Sequence, residues 1–255
     1  MKRKSYEWWC GAIILILGFS THGKGQSLSA KDVMQKAMDH VRGKTSKAEM
    51  TIKTIRPTWS REMTVRTWSK GEEYAVVQVM APPKDKGVAF LKRKKEVWNW
   101  IPTLERSIKL PPSMMSQSWM GTDFTNDDLV RESSMVNDYD QKFVGDTVLM
   151  GRSCHIIEMI PKPEAAIVWG KLLVYIDKQD YLELYTRFFD EDGTLASTMI
   201  ATEIKVLGGR LVPSRVEMIP ADKKNQKTEI IYLGLQYDAP IDDNFFTLTK
   251  LKNLN

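Results

Sequence analysis

The side chains that can carry covalent or metal chemistry are few in this 255-residue sequence, which holds two cysteines and three histidines. Cys154 and His155 stand side by side in a segment that reads as a strand. Their side chains therefore leave on opposite faces, which does not suit a thiolate–imidazole pair. Neither His40 nor His155 has a second histidine or a carboxylate at a recognisable ligand spacing, so no metal is expected. Nucleophile elbows of the Gly-x-Ser-x-Gly type and Gly-rich phosphate loops are also missing from the sequence. The chain is expected to be no enzyme and to use no cofactor.

What stands out instead is "SMMSQSWMGTDFTNDDL", Ser113 to Leu129, whose apolar residues before the closing leucine are methionine, tryptophan and phenylalanine in a polar frame. Methionine has three rotatable bonds and a polarizable sulfur, so a surface built from it can repack around different apolar partners. Met114, Met115, Trp119, Met120 and Phe124 are accordingly read either as an adaptable lid over a ligand or as ordinary core filling. Upstream, Arg106 and Lys109 sit three apart at the end of a strand, where they can meet a phosphate or lid carbonyls. The alternatives are a solvated basic edge, or an Arg106–Asp123 ion pair that pins the lid.

The elements that must position this segment follow from local signals. Pro111-Pro112 halts a strand, and Ser113 can cap a short helix that stacks Met115 on Trp119. Gly121 breaks that helix and supplies a backbone angle that other residues resist, and Asp123 is expected to cap the next turn. Thr125 followed three residues later by Asp128 is a capping-box-like start leading into Leu129-Val130. A first helix through "AKDVMQKAMDHV", capped by Ser27 or Ser29 and ended by Gly43, precedes everything else.

The rest reads as strands. Candidates lie at 47–55, 62–68, 74–80, 87–92 and 97–101, then near 140–150, 152–160 and 170–177, with the clearest alternation in 181–190 and 197–206 and further strands around 212–218 and 231–235. Pro213 suggests an edge or a bulge. Tyr181, Tyr185 and Phe189 share one face of their strand, as cavity lining or as docking surface. About ten consecutive strands with short turns imply one curved antiparallel sheet, because parallel pairing needs crossover segments that are missing. The expected fold is mainly β with few helices: one domain, residues 26–255, a single curved antiparallel sheet that short helices enter from the rim as plug or lid.

Residues 1–25 read as an export signal. Lys2, Arg3 and Lys4 precede an apolar run from Trp8 to Phe19, and Gly23-Lys24-Gly25 is a small-x-small cleavage site. The run is too short for a spanning helix, and Cys10 precedes it, against the usual order of a bacterial lipoprotein signal. Cleavage removes Lys2, Arg3, Lys4 and Lys24 against Glu7, so the formal charge falls from +5 to +2. That leaves no argument for nucleic acid. Cys154 is then the only cysteine, so a periplasmic chain must rely on its core rather than on disulfides.

The block "VWNWIPTLERSIKLPPSMMSQSWMGTDFTNDDL", Val97 to Leu129, resembles the signature of the LolA-like outer-membrane lipoprotein-sorting proteins, in the larger branch that often accompanies RND-type lipid exporters. The matching positions are Trp98, Trp100, Pro102, Arg106, Lys109, Ser113, Gly121, Asp123, Phe124, Asp128 and Leu129. The C-terminal "PIDDNFFTLTKL" resembles the end of such proteins. The chain is longer than the smaller dedicated carrier, and the Gly-x-Asp-Phe block is not expected there.

The resemblance implies an unclosed LolA/LolB-like half-barrel, its mouth plugged by short helices, whose cavity holds an acyl chain, with Trp98, Trp100, Met114, Met115, Trp119, Met120 and Phe124 as ligand contacts. It also implies a periplasmic carrier of lipid or acylated lipoprotein that exchanges with an inner-membrane RND-type or ABC-type exporter and an outer-membrane acceptor. The alternative is a periplasmic adaptor or sensor on the same fold that acts through protein contacts.

Overall fold

The computed structural model describes Met1 and residues 28–94, 96–131, 135–165 and 167–254, the side chains of residues 129–131 excepted. Apart from Met1, the expected export signal lies outside the described residues, as does the Leu129 side chain.

Helix α1 spans Ala30–Arg42. Ser29 is its cap: the Ser29 hydroxyl accepts from the Asp32 amide at 3.1 Å, and the Asp32 carboxylate accepts from the Ser29 amide at 2.9 Å. This reciprocal pair satisfies donors that the first turn otherwise leaves open. Gly43 ends the helix at φ +64°, and a Cβ there would lie 2.8 Å from Asp238 Oδ1. The apolar face of α1, Val33, Met34, Ala37 and Met38, is buried.

Thirteen strands follow. The first six are β1 (Thr45–Ile55), β2 (Ser60–Lys70), β3 (Tyr74–Ala81), β4 (Ala89–Arg93), β5 (Glu96–Ile101) and β6 (Arg106–Lys109). After the inserted segment come β7 (Tyr139–Leu149), β8 (Arg152–Pro161), β9 (Lys171–Asp177), β10 (Glu183–Phe189), β11 (Leu195–Leu207), β12 (Arg210–Pro220) and β13 (Lys227–Tyr237). They form one sheet in the order β6-β5-β4-β3-β2-β1-β13-β12-β11-β10-β9-β8-β7. Every pairing is antiparallel, and the halves join where β1 meets β13. Since β6 and β7 do not pair, the sheet stays open.

The expected strands are all present with their ends shifted by a few residues: β1, β2 and β13 run longer than expected, β4 and β10 shorter. The strand expected to end at Lys109 before Pro111-Pro112 is β6, only four residues long and paired with β5 from Ile101↔Arg106 to Trp98↔Lys109. Pro213 lies inside the sheet on β12, opposite Ile204 where the register slips, so it marks a bulge and not an edge.

Period-two alternation assigns the two faces. Ala48, Met50 and Ile52 of β1 join Met63 and Val65 of β2 and Val77 and Val79 of β3 in the inner core with α1. Across the sheet Ile157, Met159, Leu172 and Val174 belong to the same core. The outer face of β2–β5 is covered by the C-terminal segment, a 3-10 turn at Asp243–Phe245 and helix α3, Leu248–Lys252. There Phe246 and Leu251 pack with Val76, Leu91 and Trp100, and Phe245 meets Trp68 with ring centroids 5.3 Å apart. Among the described residues no helix is long and apolar enough to cross a membrane.

Candidate functional site: the inner-face cavity and its lid

The register Ala48↔Thr67↔Val77 stacks three adjacent strands so that the same inner face is presented three times. Between this patch, α1 and the far strands lies a cavity of about 270 Å³, lined by Met50, Val65, Phe188, Met199, Met218 and Ile230 among others. Its wall is mainly apolar. Charged groups also contribute to the lining, namely Arg42, Glu72, Lys92, Asp127, Asp128 and Glu183. The buried Lys92 side chain donates to the Glu72 carbonyl at 2.8 Å.

Residues 110–131 close over the inner face, but not as the expected pair of helices. Pro112–Met114 and Trp119–Gly121 are separate 3-10 turns, and only Asn126–Arg131, helix α2, is α-helical. The intervening Ser-Gln-Ser offers little helix propensity and competes for backbone groups. The chain instead folds back on itself: the Trp119 amide donates to the Phe124 carbonyl at 2.8 Å, and Ser118 bridges Thr125. Met120 takes a left-handed backbone at φ +48° and Gly121 at φ +77°, so Gly121 does supply the angle expected of it. Met115 and Trp119 share no helical turn; Trp119 packs against Phe90, ring centroids 5.6 Å apart.

The Thr125–Asp128 capping box forms. The Thr125 hydroxyl accepts from the Asp128 amide at 3.1 Å, while Asp128 Oδ2 accepts from the Thr125 amide at 2.8 Å. Trp169 Nε1 donates to Asp128 Oδ1 at 3.0 Å. Burial pushes the Asp128 carboxyl above its ordinary range, and the hydrogen bonds that the carboxylate accepts from the Thr125 amide and from Trp169 oppose that shift.

Asp123 pairs with Arg56 and not with Arg106, and its carboxylate does not cap the following turn. Arg56 Nη1 and Nη2 donate to its two oxygens at 2.8 and 3.0 Å, and the Thr228 hydroxyl donates to Oδ2 at 2.7 Å. Arg56 Nη2 also reaches the Gly121 carbonyl at 3.2 Å, and Arg61 donates to the Met120 carbonyl. The loop is thus bolted to the rim of β1, β2 and β13. Arg106 is exposed at the start of β6, and Lys109 on the same strand pairs with Glu96.

Of the seven residues expected to touch a ligand, Phe124 lines the cavity. Trp119 and Met115 are buried core residues of the lid segment itself, and Met114 and Met120 are half-buried against that core. Trp98 and Trp100 belong to the outer-face cluster with Phe246 and Leu251, away from the cavity. Pro102 stands against Gly87, Ser113 is exposed, and Asp128 lies on the cavity wall. Missed from the sequence were the strand residues Met50, Val65, Met199 and Met218 and the latch partners Arg56 and Thr228. Alternation flagged the strand residues as one face or the other. Nothing local paired Arg56 with a residue 67 positions away.

Cys154 and His155 diverge. Cys154 is fully buried with Leu182 and Leu184, and burial pushes its thiol up, while His155 Nδ1 lies 3.0 Å from Asp146 Oδ1. Among the described residues no group of three or more His, Cys, Asp or Glu side chains is arranged to hold a metal.

A family model described as uncharacterized-protein-like matches residues 71–253. No curated protein sequence matches the chain. Among solved structures it is similar to a DUF1329-family protein from Desulfovibrio piger, with 20% identity and a TM-score of 0.77, covering 88% of this chain and 99% of that one. It is similar to a LolA-superfamily protein from Nitrosomonas europaea, with 19% identity and a TM-score of 0.76, over 88% and 100% of the chains. A third, described as an outer membrane lipoprotein-sorting protein domain from Vibrio parahaemolyticus, gives 20% identity and a TM-score of 0.77 over 88% and 98%. Fold and lid together define an open, lidded antiparallel half-barrel. The chain belongs to the family of that model, which carries no described role, and it shares the fold of the LolA-superfamily and lipoprotein-sorting-domain structures.

Proposed function

We propose that this protein is a periplasmic carrier that takes an acyl chain of a lipid or lipoprotein into the inner-face cavity without covalent chemistry. The observation that carries the reading is the cavity itself. An apolar space of about 270 Å³ is held open between α1, the sheet and the lid segment, where tight side-chain packing is the rule for a domain core. Transfer from water stabilises an acyl chain by about 0.8 kcal/mol per buried CH2, so ten methylenes contribute roughly 8 kcal/mol. Such a chain has no reason to leave for water unaided, so release is driven by a partner.

In this reading residues 1–25 are the cleaved export signal, residues 26–255 are one carrier domain, and the lid is opened by membrane components. An inner-membrane RND-type or ABC-type exporter would load the carrier, and an outer-membrane acceptor would unload it. Native mass spectrometry of protein exported to a periplasm and purified without detergent tests the proposal. A stoichiometric adduct that solvent extraction identifies as lipid supports it. A clean unliganded mass together with refusal of fluorescent acyl probes contradicts it and favours an adaptor acting through protein contacts.

A further inference from the structure

Strand polarity places several turns on one rim of the sheet, the rim to which the lid is bolted. They are the β1–β2 turn at 56–59, the β3–β4 loop at 82–88, the β5–β6 turn at 102–105 and the β12–β13 turn at 221–226. Their adjacency shows in the pairs Ile55↔Lys227 and Thr64↔Ala81, and in Pro102 lying 3.2 Å from where a Cβ of Gly87 would stand. At the usual strand spacing these turns extend over roughly 34 Å.

The side chains along this rim are of two kinds. Trp59 and Leu104, at turn tips, are 50% and 57% exposed, and Arg56 stands over the Trp59 ring 5.8 Å from its centroid. Around them Lys84, Lys86, Arg106, Lys223 and Lys224 are all exposed, and none forms an ion pair among the described residues. The rim's acidic residues are Asp85, Glu105 and Asp222, and the next turn along, Asp190 to Asp192, is acidic and bounds the basic stretch. At the opposite strand ends Arg152, Lys178, Lys205 and Arg210 each hold a carboxylate. At the rim itself Arg56 holds Asp123 and Lys227 holds Glu217 and Glu229, so the five exposed bases named above are the ones left over for a partner.

Aromatic and aliphatic tips amid unpaired lysines fit the interface of an anionic bilayer. Tryptophan rests at headgroup depth, and each lysine near the surface gains from the lipid phosphates. We infer that this rim docks on an anionic phospholipid surface, with Trp59 and Leu104 entering the headgroup layer while Lys84, Lys86, Arg106, Lys223 and Lys224 face the phosphates. Because Arg56 bridges the Trp59 turn and Asp123, docking would place the lid latch directly at the membrane.

Flotation with vesicles tests this, using protein produced from the full sequence. Vesicles of phosphatidylethanolamine with a minority of phosphatidylglycerol are compared with phosphatidylcholine vesicles. The protein should float with the anionic vesicles and be released by added salt, because exposed charges are screened. Reversing Lys223→Glu and Lys224→Glu should weaken partitioning by about fivefold or more per charge. Trp59→Ser with Leu104→Ser should weaken it comparably, while Val206→Ser, an exposed apolar residue at the far strand ends, should bind as the parent does. Equal binding by the parent and the rim variants, or no preference for anionic vesicles, overturns the inference. Acyl-probe loading on the same samples reads the carrier function separately, so either reading can fail alone.

Discussion

Arg56 and Asp123 lie 67 positions apart in sequence and meet as a two-pronged ion pair, with N–O distances of 2.8 and 3.0 Å and side chains 13% and 4% exposed. An ion pair this far from water is costly to break on one side, because the surviving charge stays buried without its partner. The pair fastens the lid loop to the sheet, and Thr228 completes it through hydrogen bonds to both the Asp123 carboxylate and its amide.

The first prediction separates Arg56 from Arg106 as the partner of Asp123. Asp123→Ala should lower unfolding stability by about 3 kcal/mol in denaturant titration, and Arg56→Ala in the Asp123→Ala background should add little. Arg106→Ala should leave the denaturation midpoint unchanged. A large loss from Arg106→Ala alone would reverse the assignment.

Trp119 and Thr67 should behave in opposite ways. Trp119 is wholly buried and lies off the cavity wall, so Trp119→Ala is a core truncation expected to cost about 3–5 kcal/mol. Thr67→Phe projects a ring from the inner face into free space beside Ala48 and Val77. It should hold stability near that of the parent while displacing cargo. Thermal melts of both variants check the contrast.

Asp128 gives a pH dependence. Burial raises its folded-state pKa above the unfolded value, so the folded chain binds the proton more tightly than the unfolded one. Its contribution is therefore fully present below the unfolded pKa and declines as pH rises through the folded one. Asp128→Asn should remove that part of the slope, at the cost of one accepted hydrogen bond from Trp169 or Thr125. Denaturation midpoints from acid to neutral pH measure it; parallel slopes in parent and variant would contradict the prediction.

At Gly121 the backbone angle is tested alone. At φ +77° an L side chain is strained, although a Cβ would meet only Arg61 Nη2 at an ordinary 3.6 Å. Gly121→Ala should therefore cost about 1 kcal/mol through the backbone and not through a clash, as read by the shift in denaturation midpoint.

How much of this was legible in the sequence depends on whether the signal is local. Ser29 with Asp32 and Thr125 with Asp128 are three-residue devices, and both capping boxes form where the residue types place them. The sheet was readable because alternation and turn residues are also local, and consecutive strands can pair antiparallel without further information. The four residues of β6 were too few to show a period. The lid helix through Met115 and Trp119 failed because long-range bonds from Arg56 and Arg61 to the Gly121 and Met120 carbonyls hold that backbone in another shape. The resemblance put Trp98 and Trp100 with the ligand, but strand alternation does not say which face a residue meets, and here the C-terminal Phe246 and Leu251 pack with them on the outer face.

The most direct test of the carrier account is a titration of the detergent-free protein with a fluorescent acyl probe, comparing the parent with Thr67→Phe. The account predicts saturable one-to-one binding by the parent and at least tenfold weaker binding by the filled variant, with matching thermal stability. Equal affinity in the two proteins would mean that acyl chains do not enter the inner-face cavity, and the carrier reading would fail.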